Sequence, residues 1–150
     1  MKKMNNKGFS LVELIIVIAI MAILLVVLAP QYLKYVERSR NSTDLQNATE
    51  IVTALQIYAS DPEATVAPAD GNITIGNAAQ TIANTTFEGA ALTDAGLMNA
   101  GSLETRCQSR TTWTSYTISW TIVDGNLVFT YSSTPTQTPD PFATRMAGGN

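Results

Sequence analysis

A single carboxylate, Glu13, interrupts an otherwise apolar stretch of this chain, and its type and position are what most demand a chemical explanation. Between Phe9 and Ala29 the only polar residues are Ser10 and Glu13. An ionised carboxylate at the centre of a bilayer costs about 2.5–3.5 kcal/mol, and less near the interface. Glu13 therefore either has a dedicated partner or sits at headgroup level, paired with Lys7 or solvated. Elsewhere reactive groups are sparse. The sequence has no histidine, which removes the commonest general base and the commonest metal ligand. Its one cysteine, Cys107, cannot form a disulfide within the chain, and its readings are a small buried apolar residue or a thiol that pairs between subunits. There is no Gly-rich phosphate loop and no carboxylate pair in a strand-flanked site. The expectation is a non-enzyme with no catalytic residues, no cofactor and no metal site. Nine basic and 12 acidic residues give a net charge of −3, without the basic stripe that nucleic-acid binding requires, so no nucleic-acid partner is expected.

The element that must position Glu13 is the apolar run itself. At about 1.5 Å rise per residue, residues 9–29 span the roughly 30 Å hydrocarbon core of a bilayer. Backbone groups must be satisfied internally there, which predicts a single-pass helix despite its many Ile and Val residues. An ordinary secretory signal has a shorter apolar stretch and a small-residue cleavage site after it. Here the one such site, Val27-Leu28-Ala29, is followed by Pro30. Lys2, Lys3 and Lys7 precede the run, while Lys34, Arg38 and Arg40 follow it with Glu37 among them, so charge favours a cytoplasmic N-terminus only slightly. The polar C-terminal region fits the outside.

The run Lys7-Gly8-Phe9-Ser10-Leu11-Val12-Glu13-Leu14 resembles the prepilin signature of type IV pilins and pseudopilins: a short basic leader ending in Gly, then Phe, then an apolar helix with Glu at the fifth position after the Gly. The resemblance implies a prepilin leader at 1–8, cut by a prepilin peptidase between Gly8 and Phe9, N-methylation of Phe9, and a transmembrane and assembly helix at 9–29. It implies that Glu13 meets the Phe9 amino group of a neighbouring subunit, each charge offsetting the other's desolvation and the pair setting the axial register. Pro30 is implied as a helix kink, and is also compatible with a simple membrane exit. The implied fold is the α+β pilin fold, a long N-terminal helix packed on a small antiparallel β-sheet. The implied function is a structural subunit of a type IV pilus, a helical filament of identical subunits. The subunit is held in the inner or cytoplasmic membrane as precursor and is extracellular after assembly by a platform and ATPase. The alternative is a pseudopilin of a type II secretion or competence machine. The chain departs from both pseudopilin kinds. After Asn126 its only acidic residue is Asp140, which does not make a calcium loop, and it has no paired cysteines.

An amphipathic helix is predicted over 30–60. Leu45, Ala48, Val52, Leu55 and Ala59 recur at helical spacing, widened by Ile51 and Tyr58, and Asp61-Pro62 ends the pattern. Asp44, Gln46, Asn47 and Glu50 are placed on the opposite side, and Lys34, Glu37, Arg38 and Arg40 on a solvated face. Tyr32 and Tyr35 fit an interfacial belt. A C-terminal β-sheet domain is expected over 61–131. Within it Ile73-Thr74-Ile75 reads as a short strand, and Gly89 to Met98 as a short helix burying Leu92, Ala95 and Leu97. Alternation from Tyr116 to Ile122 and from Leu127 to Tyr131 around Asp124-Gly125-Asn126 reads as a hairpin, with Tyr116, Ile118, Trp120 and Ile122 inward. A further strand is expected from Cys107 to Trp113. Residues 132–150 read as a flexible Ser/Thr/Pro tail. The Asn-x-Ser/Thr sequons starting at Asn41, Asn47, Asn72 and Asn84 read as composition in an Asn/Thr-rich chain.

Overall fold

The structure, a computed structural model, describes residues 9–148. The expected leader, Gly8 and the last two residues lie outside that range. The chain divides into two units, 1–36 and 37–150, which share one element, the helix α1 (Leu11–Ser60).

In the first unit α1 is apolar and its side chains are exposed from Leu11 to Tyr35. The helix contains an 18-residue window of mean hydropathy 3.3, long and apolar enough to cross a membrane. The helical assignment runs through Pro30 without a break. The ring removes the N–H that would have bonded four residues back and nothing more of the assignment.

The second unit is α+β. It holds the rest of α1, then β1 (Gly71–Ile75), β2 (Gln80–Thr81), α2 (Phe87–Asp94), β3 (Met98–Asn99), β4 (Ser102–Leu103), β5 (Ser115–Val123), β6 (Asn126–Thr134) and α3 (Pro141–Met146). One antiparallel sheet has the order β1-β5-β6 and a smaller one the order β2-β4-β3. The helix stripe is buried as its spacing predicts. Ala48, Ile51, Leu55 and Tyr58 join Ile73 and Ile75 of β1, Tyr116, Ile118 and Trp120 of β5, and Phe87 and Leu92 of α2 in one core. Burying side chains of this size contributes about 1.5–3 kcal/mol each, which is why the stripe decides the helix face.

The hairpin pairs Val123 with Asn126, so its loop is the two residues Asp124 and Gly125. Both have positive φ, 52° and 77°. That is the primed-turn geometry whose twist matches the flanking strands. Ile122 lies beyond the core and is 37% exposed rather than covered, because the burial of β5 stops at Trp120. Helix α2 begins at Phe87, with Thr86 as its N-cap accepting from the Gly89 amide at 3.2 Å. It stops before Ala95, which is exposed, while Leu97 is half-buried and Met98 starts a strand. Gly89 is glycine for a steric reason: a Cβ there would stand 2.0 Å from the Ala83 carbonyl oxygen.

Two segments take a form other than the one expected. Of the expected tail, residues 132–148 are described and they are folded. β6 continues to Thr134, and α3 follows, capped by Asp140, whose carboxylate accepts from the Phe142 and Ala143 amides. The same carboxylate accepts from the Ser133 amide at 2.7 Å and from its hydroxyl at 2.9 Å, tying α3 back to β6. Phe142 is then fully buried, stacked on Tyr116 at 4.5 Å and edge-on to Trp113 at 5.4 Å. A lone Phe after a Thr/Pro tract carries no periodicity, and its burial is a tertiary event. Phe142→Leu is expected to lower stability by about 1–2 kcal/mol through a cavity against Tyr116. An unchanged urea midpoint for that variant would show that α3 contributes little.

The expected strand from Cys107 to Trp113 is the second such segment, and its reason lies in the side chains it wraps.

Candidate functional site

Successive amides of a β-strand point in opposite directions. From Gln108 to Thr112 they instead converge on two carboxylates of α1. Asp44 accepts from the Gln108 amide at 2.7 Å and the Ser109 amide at 2.9 Å. One oxygen of Glu37 accepts from the amides of Arg110 at 2.9 Å, Thr111 at 2.8 Å and Thr112 at 3.1 Å. Five consecutive N–H groups therefore gather around anions, an arrangement no strand permits. The segment curls, and Thr114 resumes backbone pairing only with Thr134.

Side chains complete the clamp. The Trp113 indole N–H donates to Asp44 at 2.8 Å, and the Cys107 thiol donates to it at 3.4 Å. The Ser109 hydroxyl donates to Glu37 at 2.6 Å and accepts from the Trp113 amide at 3.1 Å. Asn41 donates to the Thr112 hydroxyl at 2.8 Å. Asp44 is fully buried, and the Glu37 side chain is 12% exposed. The solvated face expected for Glu37, and the outward placement of Asp44, are thus corrected. Both residues lie on the core side of the helix, where their charge is offset by hydrogen-bond donors rather than by water. A signal for them exists in the spacing. Glu37, Asn41 and Asp44 extend the stripe Ala48, Ile51, Leu55 toward the N-terminus at alternating steps of four and three. A purely apolar criterion stops at the first polar member.

These contacts govern ionisation. Burial pushes Glu37 upward, but the Ser109 hydroxyl and the backbone amides of Thr111, Thr112 and Arg110 outweigh it and bring its pKa down to about 2 from 4.5. Asp140 is also lowered: burial raises it, while the Ala143, Ser133 and Phe142 donors more than compensate. A depressed carboxylate stabilises the fold fully above its unfolded pKa and loses that contribution as pH falls toward the folded one. Stability is therefore expected to drop between about pH 4.5 and pH 2, with Glu37 contributing about 2–3 kcal/mol of the loss. Urea melts across that range check it. Glu37→Gln should flatten the slope, and an equally steep slope in the variant would remove Glu37 as its cause. Cys107 moves the other way. Burial first, then the charge of Asp44, push its thiol up to about 12. It is a buried donor, 2% exposed, and of its two readings the structure matches the buried one.

The residues expected to drive assembly lie in the first unit. Phe9 is 81% exposed. Ser10 precedes the first turn of α1, and its backbone N–H donates to the Glu13 carboxylate at 2.9 Å. That is the reciprocal half of a capping box, serine followed three residues later by glutamate. Within one chain, then, Glu13 already has a partner, a backbone amide at the positive end of its own helix. Pro30 lies well down the same helix and is not brought near them.

The family model described as the prokaryotic N-terminal methylation motif matches residues 3–29. Over 59 residues the chain is 39% identical to a type IV major fimbrial protein, FimA, of Dichelobacter nodosus, covering 39% of this chain and 38% of that protein. It is 36% identical over 59 residues to the type IV major pilin protein PilA of Myxococcus xanthus (strain DK1622), covering 39% of this chain and 27% of the relative. A second FimA of Dichelobacter nodosus is 41% identical over 54 residues, 36% of this chain and 35% of the relative. The matched segment thus spans between about a quarter and two fifths of these relatives. No solved structure matches. The N-terminal methylation motif thus lies on an exposed apolar helix with a capped glutamate in its first turn and small antiparallel sheets packed on its second half, and over the matched segment the chain is similar to type IV pilins.

Proposed function

We propose that the chain is a structural subunit of a type IV pilus. In this reading a prepilin peptidase cuts after Gly8, Phe9 is N-methylated, and the precursor waits in the cytoplasmic membrane with its C-terminal domain outside. A platform and ATPase then assemble it into a surface filament of identical subunits. The observation that carries the reading is the helix from Leu11 to Leu33, whose apolar side chains are exposed among the described residues. Exposed apolar surface on this scale demands lipid or other protein; in this reading the membrane covers it in the precursor and copies of the same helix cover it in the filament. The two partners named for Glu13 act in succession: its own Ser10 amide caps the helix in the single subunit, and a neighbour's methylated amino terminus offers a full positive charge on assembly. Pro30 supplies a point where the helix bends to suit its neighbours.

Mass spectrometry of material sheared from the cell surface tests the proposal. Abundant chain beginning at methylated Phe9 supports a filament subunit. Processed chain confined to the membrane fraction would favour the pseudopilin alternative. Uncleaved chain in every fraction would overturn both readings.

A further inference from the structure

We propose that the groove between β1 and β2 is a binding site for a neutral sugar. It is bounded by residues 72–74 of β1, by residues 80–83 through β2, and by Glu88 of α2. Its volume is about 350 Å³, at the small end of the roughly 300–1,000 Å³ of small-molecule sites. Both strands are outermost in their sheets, so among the described residues each has an edge without a strand partner.

The lining chemistry selects the ligand. The carboxamides of Asn72 and Gln80 each offer donors and an acceptor, the Thr81 hydroxyl offers both, and the Glu88 carboxylate accepts. Among the described residues none of these four side chains is committed to a hydrogen bond. Thr74, on the rim, shows the contrast: its hydroxyl is taken up by Thr117 at 2.9 Å. The Asn72, Gln80 and Thr81 groups, which both donate and accept and line the groove with Ile82, match vicinal hydroxyls, which also donate and accept. Glu88 is the one charged group in the lining. A lone carboxylate cannot supply the 6–8 oxygens of a calcium site, and it repels phosphate and other anions. A neutral polyol meets neither objection.

The groove also opens onto a surface of the same character. Asn72 and Thr74 belong to the outer face of the larger sheet, where Thr117 pairs with Ser132 and Ser119 with Thr130. Among the described residues, the strand positions on that face carry no charged side chain. A sugar chain anchored in the groove can extend across it without desolvating an ion. With no aromatic platform on this face, affinity comes from hydrogen bonds and falls in the millimolar range.

The test is saturation-transfer NMR on the full chain in a detergent free of sugar headgroups, with maltose, cellobiose and lactose as neutral probes and glucuronate as the charged control. Transfer to at least one neutral disaccharide is expected. It should fall at least fivefold in Gln80→Ala and in Glu88→Gln and persist in Asn84→Ala, which leaves the lining intact. The melting temperatures of the two groove variants should stay near that of the parent, since neither side chain bonds within the fold. Absence of transfer to every neutral probe, transfer to glucuronate alone, or transfer undiminished in both groove variants would each overturn the assignment. None of these outcomes depends on whether the chain forms filaments.

Discussion

Asp44→Ala is expected to destabilise the C-terminal domain by about 3–5 kcal/mol and to lower its melting temperature by on the order of 10–20 °C. The carboxylate is fully buried and accepts from two amides, an indole N–H and a thiol. Removing it leaves two buried N–H groups, the Ser109 amide and the Trp113 indole, and the part-buried Gln108 amide without that partner, and each stranded buried donor costs about 1–3 kcal/mol. Asp44→Asn should recover only part of the loss. Its amide oxygen can accept, but its NH₂ group faces donors. Near-UV circular dichroism during a thermal melt is the direct readout, because the Trp113 indole both bonds Asp44 and packs against Phe142. A melt for Asp44→Ala within about 1 kcal/mol of the parent would show that the segment from Gln108 to Thr112 is held by something other than this clamp.

Glu13→Ala is expected to cut the yield of sheared filaments at least tenfold while leaving the melt of the C-terminal domain unchanged. Two effects combine. The first is local: losing the capping carboxylate costs the start of α1 about 0.5–2 kcal/mol. The second follows from the filament reading, in which Glu13 is the only acidic group in the apolar run and so the only counter-charge there for a neighbour's buried amino terminus. Glu13→Gln separates the two. The amide oxygen still accepts from the Ser10 N–H, so the cap survives, but the charge is gone. If assembly depends on the charge, Gln behaves like Ala; if it depends only on the cap, Gln assembles normally. Wild-type yield from both variants would remove Glu13 from assembly altogether.

Much of this architecture was legible without coordinates because it follows from local rules. The apolar length of residues 9–29, the helical stripe ending at Asp61-Pro62, and the period-two alternation around Asp124-Gly125 are patterns of neighbours in sequence, and each produced the element expected. The capping box at Ser10 and Glu13 is written in a four-residue motif, and the structure adds the Ser10 amide to the partners that the sequence suggests for Glu13. What misled was polarity taken at face value. Carboxylates are mostly exposed, which predicts solvent for Glu37 and Asp44. Ser, Thr and Pro dominate residues 132–150, which predicts a tail.

Residue order alone determined the membrane-length helix, its N-terminal methylation motif and the face that α1 turns to the sheet, because period and length are properties of the chain itself. The course of Cys107 to Trp113 and the docking of α3 were decided only in three dimensions. There, amides distant in sequence find the Glu37 and Asp44 carboxylates, and a single ring, Phe142, finds a space between Trp113 and Tyr116. A buried anion is tolerable only when several donors reach it together, and the pairing of residues 64 to 75 positions apart leaves no periodic trace in the sequence.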